Sequence, residues 1–411
     1  MKGFNKKNNG LYVDEVPLSK IAEDYGTPAY IYSGSVIKDN FNKYSSCLRQ
    51  KDLVCYAVKA NPNISILKSL HEMGSGFDAV SANEIRRALL IDADPKKIVF
   101  SGVAKSIEEL SFAIDSDILS INIESYSEMI RINEIALAKN KKVNCSIRLN
   151  PNISAKTHKY ISTGLKTSKF GISENEIKEI AKNIKQLKGI SLFGLSCHIG
   201  SQINDASLAI RVLERLKDCA SKLKKLDLNI THLNLGGGLG IRYKDEIEIS
   251  IENTINNLVK EIGKEYSLLL EPGRSIIGNA GVLLARVEII KETDTSSFAL
   301  IDAGMNDFIR PALYGAWHDI LEAEILPVKS KKYIVVGPVC ESADVFGHER
   351  ELSIQEGSLL AIKGAGAYGI AMSSNYNSRT QPPEIIVNKS KVKLIRRRES
   401  FEDMIKLEKE N

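Results

Sequence analysis

At 411 residues, with 43% hydrophobic and 26% charged residues, the chain has a globular composition and is long enough for more than one core. Its 56 basic and 51 acidic residues are interspersed, and no stripe of Lys and Arg alternates with aromatics, which argues against nucleic acid as a partner. No run of about 18 apolar residues occurs, so no membrane span is expected.

Residues 1–10 are polar and lysine-rich without an apolar stretch, predicting no signal peptide. Cys47, Cys55, Cys145, Cys197, Cys219 and Cys340 are widely spread and read as free thiols of a reducing, cytoplasmic compartment. Neither C-x-x-C nor H-E-x-x-H spacing occurs, and no metal site is expected.

In chain order, a helix is predicted over 19–25 and a strand over 29–32. Apolar strands follow at 53–58, 76–80, 97–100, 119–123, 143–149, 193–197, 232–235 and 268–270, with helical patterns between them. Eight alternating strand–helix units predict a (β/α)8 TIM-like barrel; evenly spaced units favour closure over a doubly wound open sheet. Ser81-x-x-Glu84, Ser106-x-x-Glu109, Ser125-x-x-Glu128 and Ser173-x-x-Glu176 each read as a capping box, which gives Glu84 a structural job. After Arg274, short β-type runs at 281–290, 298–301, 333–336, 359–362, 384–387 and 392–395 lack intervening long helices. The expected domains are a barrel over 34–276 and a mostly antiparallel β domain formed by 1–33 with 277–411. Arg396-Arg397-Arg398 reads as a solvated strand end, and 399–411 as a short exposed helix.

The polar residues at strand ends carry the chemistry. Lys59, Asp78, Arg148, His198, Gly236-Gly237-Gly238 and Glu271 all fall at carboxyl ends of predicted strands, which in a barrel converge on one face. A lysine closing a buried strand either snorkels to solvent or, desolvated, becomes an amine nucleophile for Schiff-base chemistry. The glycine run serves either a tight turn or a phosphate cradle. Glu271 needs a cationic partner, which is a pyridinium nitrogen or Arg274. His198-Ile199-Gly200-Ser201 supplies a flat ring and a hydroxyl. Cys340-Glu341-Ser342, in a turn after a strand, offers a thiol as proton donor beside an acid. Gly364-x-Gly366-x-x-Gly369 matches a dinucleotide fingerprint only formally, because the Ser-, Asn- and Pro-rich stretch 373–383 cannot form the required helix.

Lysine, phosphate cradle, pyridinium partner and stacking ring together describe a pyridoxal 5'-phosphate site. With these residues the chain resembles the fold-type III pyridoxal-phosphate decarboxylases, and among them the branch acting on diaminopimelate. The resemblance rests on Tyr56-Ala57-Val58-Lys59-Ala60-Asn61, Phe77-Asp78, His198 to Ser201, the glycine run, Glu271-Pro272-Gly273-Arg274, Asp302 to Asp307, Arg310-Pro311-Ala312-Leu313-Tyr314, Gly337 to Ser342 and Gly366-Ala367-Tyr368-Gly369. One stretch departs: Asn377-Ser378-Arg379-Thr380-Gln381-Pro382 stands where the family has Asn-x-Arg-Pro-Arg-Pro.

The resemblance implies that Lys59 carries the cofactor and His198 stacks on it. It places Ser201, Gly237, Gly238 and Arg274 around the phosphate, Glu271 on the ring nitrogen, and Asp78, Gly273 and Tyr368 beside the cofactor. It implies Cys340 as proton donor and a homodimer whose Cys340 loop completes the neighbouring site. For the substrate's far end, Arg274, Arg310 and Tyr314 suit a distal carboxylate, Glu341 a distal ammonium, and Tyr368 touches the substrate. That combination favours meso-2,6-diaminopimelate, giving L-lysine and carbon dioxide. Pairing of Arg310 with Asp307 is the plain alternative. Other readings are a sister decarboxylase acting on D-ornithine or D-lysine, and a non-catalytic pyridoxal-phosphate binder.

Overall fold

The computed structural model describes residues 3–7, 10–153 and 169–409. It divides into two compact units, one of Met1–Asn40, Arg242–Glu246 and Ile276–Asn411, the other of Phe41–Ile241 and Ile247–Ser275. Among the described residues no helix is long and apolar enough to cross a membrane.

The chain opens with a small antiparallel sheet, β1 (Phe4–Lys7), β2 (Gly10–Val13) and β3 (Val16–Pro17). The sequence reading missed it, since Phe4–Lys7 alternates one buried residue with three exposed polar ones. The helix Leu18–Tyr25 then buries Leu18, Ile21 and Ala22 at helical spacing, and β4 (Ala29–Ser33) is buried throughout.

The second unit is the barrel. Its strands are β5 (Leu53–Ala57), β6 (Gly76–Ala79), β7 (Ile98–Phe100), β8 (Ser120–Ile123), β9 (Val143–Arg148), β10 (Ile190–Ser196), β11 (His232–Asn234) and β12 (Ser267–Leu270). They pair in parallel and in sequence, and β12 returns to β5 to close the sheet. All eight expected strands are present, with ends shifted by one to three residues. Outward-facing Tyr56, Phe77 and Phe100 are fully buried beneath the helices. The helix Ser207–Lys224 buries Leu208, Val212, Leu216, Cys219 and Leu223 where it packs on β10 and β11.

Strand periodicity of two sets what faces inward. Cys55, Val99 and Leu269 form an apolar plug in the barrel. Two residues further along their strands stand Ser101 and Glu271, both buried. Barrel interiors are ordinarily filled by branched apolar side chains, so a polar upper layer marks the functional end.

Helix starts follow the expected Ser-x-x-Glu pattern with one correction. Ser106 with Glu109 and Ser173 with Glu176 are complete capping boxes. At Ser81 and Ser125 the serine caps its helix, but the glutamate reaches one residue further back. Glu84 accepts from the Val80 N–H at 2.8 Å and Glu128 from the Glu124 N–H at 2.7 Å. Those carboxylates therefore hold the strand-to-helix loops, not the N-cap itself.

The β unit continues with β13 (Gly281–Glu292), β14 (Ser297–Ile301), β15 (Ile320–Glu322), β16 (Lys331–Val336), β17 (Val345–Leu352), β18 (Leu359–Lys363), β19 (Glu384–Asn388) and β20 (Lys391–Arg396). β4 lies between β13 and β19, so the strand preceding the barrel completes this sheet. Pairing is mostly antiparallel, with parallel exceptions at β4–β19 and β14–β16. The expected terminal helix shrinks to one turn, Phe401–Met404. Arg398 is no solvated strand end either: its guanidinium donates to the Pro28 carbonyl at 2.9 Å.

Candidate active site

β5 stops at Ala57 because Val58–Ala60 forms a single 3-10 turn, after which Asn63 caps the next helix by accepting from the Ser65 N–H at 2.9 Å. Lys59 sits on that turn. Its ammonium pairs with the Oδ2 of Asp78, whose side chain on β6 is fully buried while that of Lys59 is 35% exposed. The lysine is thus held by an opposite charge, not isolated in an apolar wall as its strand context suggested. The other oxygen of Asp78, Oδ1, is buried and takes no hydrogen bond from the protein.

Glu271 follows β12. Asn234 on β11 donates to its Oε1 at 2.5 Å and accepts from the Gly236 N–H at 2.8 Å. Burial, then the Asp78 charge, pushes the Glu271 carboxyl up to about 7 against the pull of Lys59. The alternative of a Glu271–Arg274 salt bridge is not among the ion pairs of the described residues. Arg274 instead donates to Ser201 Oγ, from Nε at 3.1 Å and Nη2 at 3.0 Å, so hydroxyl and guanidinium form one cluster.

His198 is held neutral. Burial, then the positive charges of Arg148 and Lys59, lowers it to about 3. Its Nδ1 accepts from the Gly237 N–H at 3.3 Å, which leaves the proton on Nε2. Each glycine of the run has its own reason. Gly236 and Gly238 have φ of +66° and +107°. A Cβ on Gly237 would collide with the Glu271 carbonyl oxygen. Turn geometry and close packing thus account for all three glycines, and the Gly236 and Gly237 N–H groups are taken up by Asn234 and His198. A Cβ on Gly273 would lie 2.9 Å from that of Ala60.

Lys59, Asn122, Arg148, Ser196, His198 and Glu271 share the wall of one cavity of ≈ 360 Å³. Arg148 pairs with Glu124 at 2.5 Å, the two side chains 10% and 6% exposed. Glu124 also accepts from the Gly171 N–H at 2.7 Å, and the Phe170 ring lies 4.7 Å from the Arg148 guanidinium. Losing one partner of such a buried pair costs about 3–5 kcal/mol, so the pair fixes this side of the mouth. Asn122 Oδ1 and Ser196 Oγ are buried with no protein partner. Sequence reasoning passed over Ser101, Asn122, Glu124, Ser196 and Asn234. Glu124 stands two residues from Asn122, Ser196 two from His198 and Asn234 two from Gly236, the spacing that puts each pair on one face of a strand, whereas Ser101 gave no such signal.

The remaining expected residues lie in the β unit. Arg310 opens the short helix Arg310–Tyr314 and is buried. Its guanidinium lies 5.3 Å from the Tyr243 ring and 5.5 Å from that of Tyr314. Asp307 is not its counter-ion in the sense anticipated: that carboxylate accepts from the Gly304 N–H at 2.9 Å and Asn306 Nδ2 at 3.0 Å. Cys340 is exposed, and its N–H donates to Asn377 Oδ1 at 3.1 Å. Of the other cysteines, four are buried and Cys47 is half-buried rather than a core residue. Glu341 accepts from the Tyr376 hydroxyl at 2.6 Å. Tyr368 has a φ of +56°, a conformation bulky residues rarely adopt and one that clusters at functional sites. The atypical stretch after Asn377 is anchored by Arg379, which donates to the Asp302 carbonyl at 2.6 Å.

The barrel residues suit pyridoxal phosphate on the structure's own terms. A buried acid with a raised pKa matches a cationic ring nitrogen, and a neutral imidazole matches a flat aromatic face. The Ser201–Arg274 cluster, a hydroxyl beside a guanidinium fork, matches a phosphate.

The family of pyridoxal-dependent decarboxylases, by its pyridoxal binding domain, matches residues 35–278. The chain is 43% identical to diaminopimelate decarboxylase of Haemophilus influenzae, covering 99% of both chains. It is 41% identical to that of Pseudomonas aeruginosa, covering 98% of both. Diaminopimelate decarboxylase from Helicobacter pylori, complexed with L-lysine, superposes with a TM-score of 0.91 at 40% identity, covering 95% of this chain and 99% of that one. The enzyme from M. jannaschii, also with L-lysine, gives 0.92 at 38% identity, covering 99% and 98%. Lysine decarboxylase from Selenomonas ruminantium, at 20% identity and a TM-score of 0.81, shares the fold. The chain belongs to the diaminopimelate decarboxylases, pyridoxal-phosphate-dependent carboxy-lyases that join a (β/α)8 barrel to a β domain.

Proposed function

We propose that the residues gathered at the barrel mouth and in the β unit divide the decarboxylation of meso-2,6-diaminopimelate to L-lysine as follows. The observation that carries the assignment is Lys59, an amine on a rigid turn, facing buried Asp78 and sharing a cavity with His198 and Glu271. Lys59 would be the amine that holds pyridoxal phosphate. The bound cofactor supplies the electron sink for the pair released as the α-carboxylate leaves.

Glu271 holds a proton at the ring nitrogen, where its raised pKa lets it share that proton. Asp78 keeps the Lys59 ammonium oriented and His198 presents an uncharged face. Ser201, Arg274 and the turn at Gly237 and Gly238 hold the phosphate, with Gly273 allowing the close approach of β5. Cys340 delivers a proton to the α-carbon. Arg310 and Tyr314, with Arg274, receive the distal carboxylate and Glu341 the distal ammonium, and Tyr368 contacts cofactor and substrate. L-Lysine, bound in the crystals of two relatives, is the product here.

The exposure of Cys340 supports a homodimer in which the loop of one chain serves the site of the other. A sister activity on D-ornithine or D-lysine would leave buried Arg310 without a carboxylate to receive, a cost without return.

The deciding assay is carbon dioxide release from meso-diaminopimelate, D-lysine, D-ornithine and L-ornithine by the holoenzyme. Turnover of diaminopimelate alone is expected. Preference for a compound without a distal carboxylate would overturn the roles of Arg310 and Glu341 while leaving the cofactor site intact.

A further inference from the structure

Arg310 does not hold its own position; a histidine eight residues on does much of that. The helix Arg310–Tyr314 ends at Gly315 in the left-handed conformation, φ +59°, which turns the chain back so that Trp317–Asp319 leads into β15. His318 is 0% exposed. Its Nδ1 lies 2.8 Å from the carbonyl oxygen of Lys363 on β18, and a carbonyl has no proton to give, so Nδ1 is the donor. In a neutral imidazole Nε2 is then an acceptor, and it lies 3.4 Å from the Nε–H of Arg310. A protonated ring would set an N–H against a guanidinium N–H, so the arrangement requires the neutral form.

Three further contacts fix where Nε2 points. The edges of the Phe308 and Tyr243 rings flank the imidazole, with centroids 4.6 Å and 4.9 Å away and interplanar angles of 72° and 74°. The His318 carbonyl accepts from Arg350 Nη2 at 3.0 Å. Arg350 in turn lies 3.3 Å from the Trp317 ring centroid. A buried polar ring clamped from backbone, edge and face, with one acceptor aimed at one guanidinium, is costly to build for packing alone.

We infer that His318 is a positioning residue: it accepts from Arg310 Nε and so orients the guanidinium fork toward the distal carboxylate of the substrate. The inference rests on the reading of Arg310 as the carboxylate receiver.

The test compares His318→Leu, His318→Gln and Arg310→Met in the holoenzyme, with steady-state kinetics on meso-diaminopimelate and the inhibition constant of D-lysine, which has no distal carboxylate. His318→Leu is expected to raise KM about tenfold to a hundredfold, the loss that accompanies one hydrogen bond to a charged group, with kcat changed far less. The D-lysine constant and the visible spectrum of the bound cofactor stay unchanged. His318→Gln, whose amide oxygen reaches the place of Nε2, restores KM most of the way. An unchanged KM in His318→Leu, or a Gln variant as impaired as the Leu variant, overturns the inference. If Arg310→Met leaves KM unaltered, it is the reading of Arg310 that falls; if Arg310→Met raises KM and His318→Leu does not, only the role of His318 falls.

Discussion

Lys59→Ala is expected to lower carbon dioxide release from diaminopimelate by roughly 10³-fold or more, because it removes the covalent route rather than weakening a contact. The substitution also strips the counter-charge from Asp78, one of whose oxygens is already buried without a protein partner. A loss of folding stability would then mimic a loss of chemistry. Lys59→Arg separates the two: it keeps a positive charge near Asp78 but offers no primary amine. The account predicts that Lys59→Arg melts close to the native protein yet is as inactive as Lys59→Ala. Substantial turnover by Lys59→Arg would exclude a covalent role for this side chain.

Cys340→Ser is expected to lower kcat by about 10²- to 10⁴-fold, the contribution of a positioned general acid, with little change in KM. The buried thiols of Cys55, Cys197 and Cys219 cannot substitute. Burial pushes Cys55 well above its ordinary value, and Cys197 and Cys219 up to about 12, so none of these gives up a proton readily. Cys340 is exposed, with its backbone pinned by Asn377 and its neighbour Glu341 held by Tyr376. A serine hydroxyl fits the same space and is a far weaker acid, so the loss reports acidity, not shape. If the Cys340 loop serves a partner chain, mixing Cys340→Ser with Lys59→Ala protein regenerates activity that neither has alone. Full kcat in Cys340→Ser would remove the thiol from the mechanism.

Much of the barrel could be read from the chain because each strand is buried on its outer face by helices, which leaves apolar runs bounded by turn residues. The strand-end residues Lys59, Asp78, His198 and Glu271 stood out for the opposite reason: they are polar where such runs stop. The polar inner layer was harder to see. Asn122 and Ser196 lie inside apolar runs, and their meaning depends on which face of a closed sheet they take. In the β unit, Val345–Leu352 escaped notice because exposed charges and Gly347 interrupt it, and its pairing with β16 is irregular in register. His318 gave no signal at all. Its link to Arg310 exists only because Gly315 reverses the chain, and a lone histidine in sequence is more often a satisfied core residue. Glu271 shows the converse. Arg274, three residues on, was a reasonable counter-ion from spacing, yet the guanidinium turns to Ser201 and leaves the acid to Asn234.

The most direct test of the assignment is chemical. The holoenzyme is reduced with borohydride, digested, and its peptides weighed. The account predicts a pyridoxyl group on the peptide that carries Lys59 and on no other. Label on a different lysine would contradict it, above all on Lys105, the buried lysine that donates to Glu128 at 2.8 Å and to the Asn122 carbonyl at 2.7 Å.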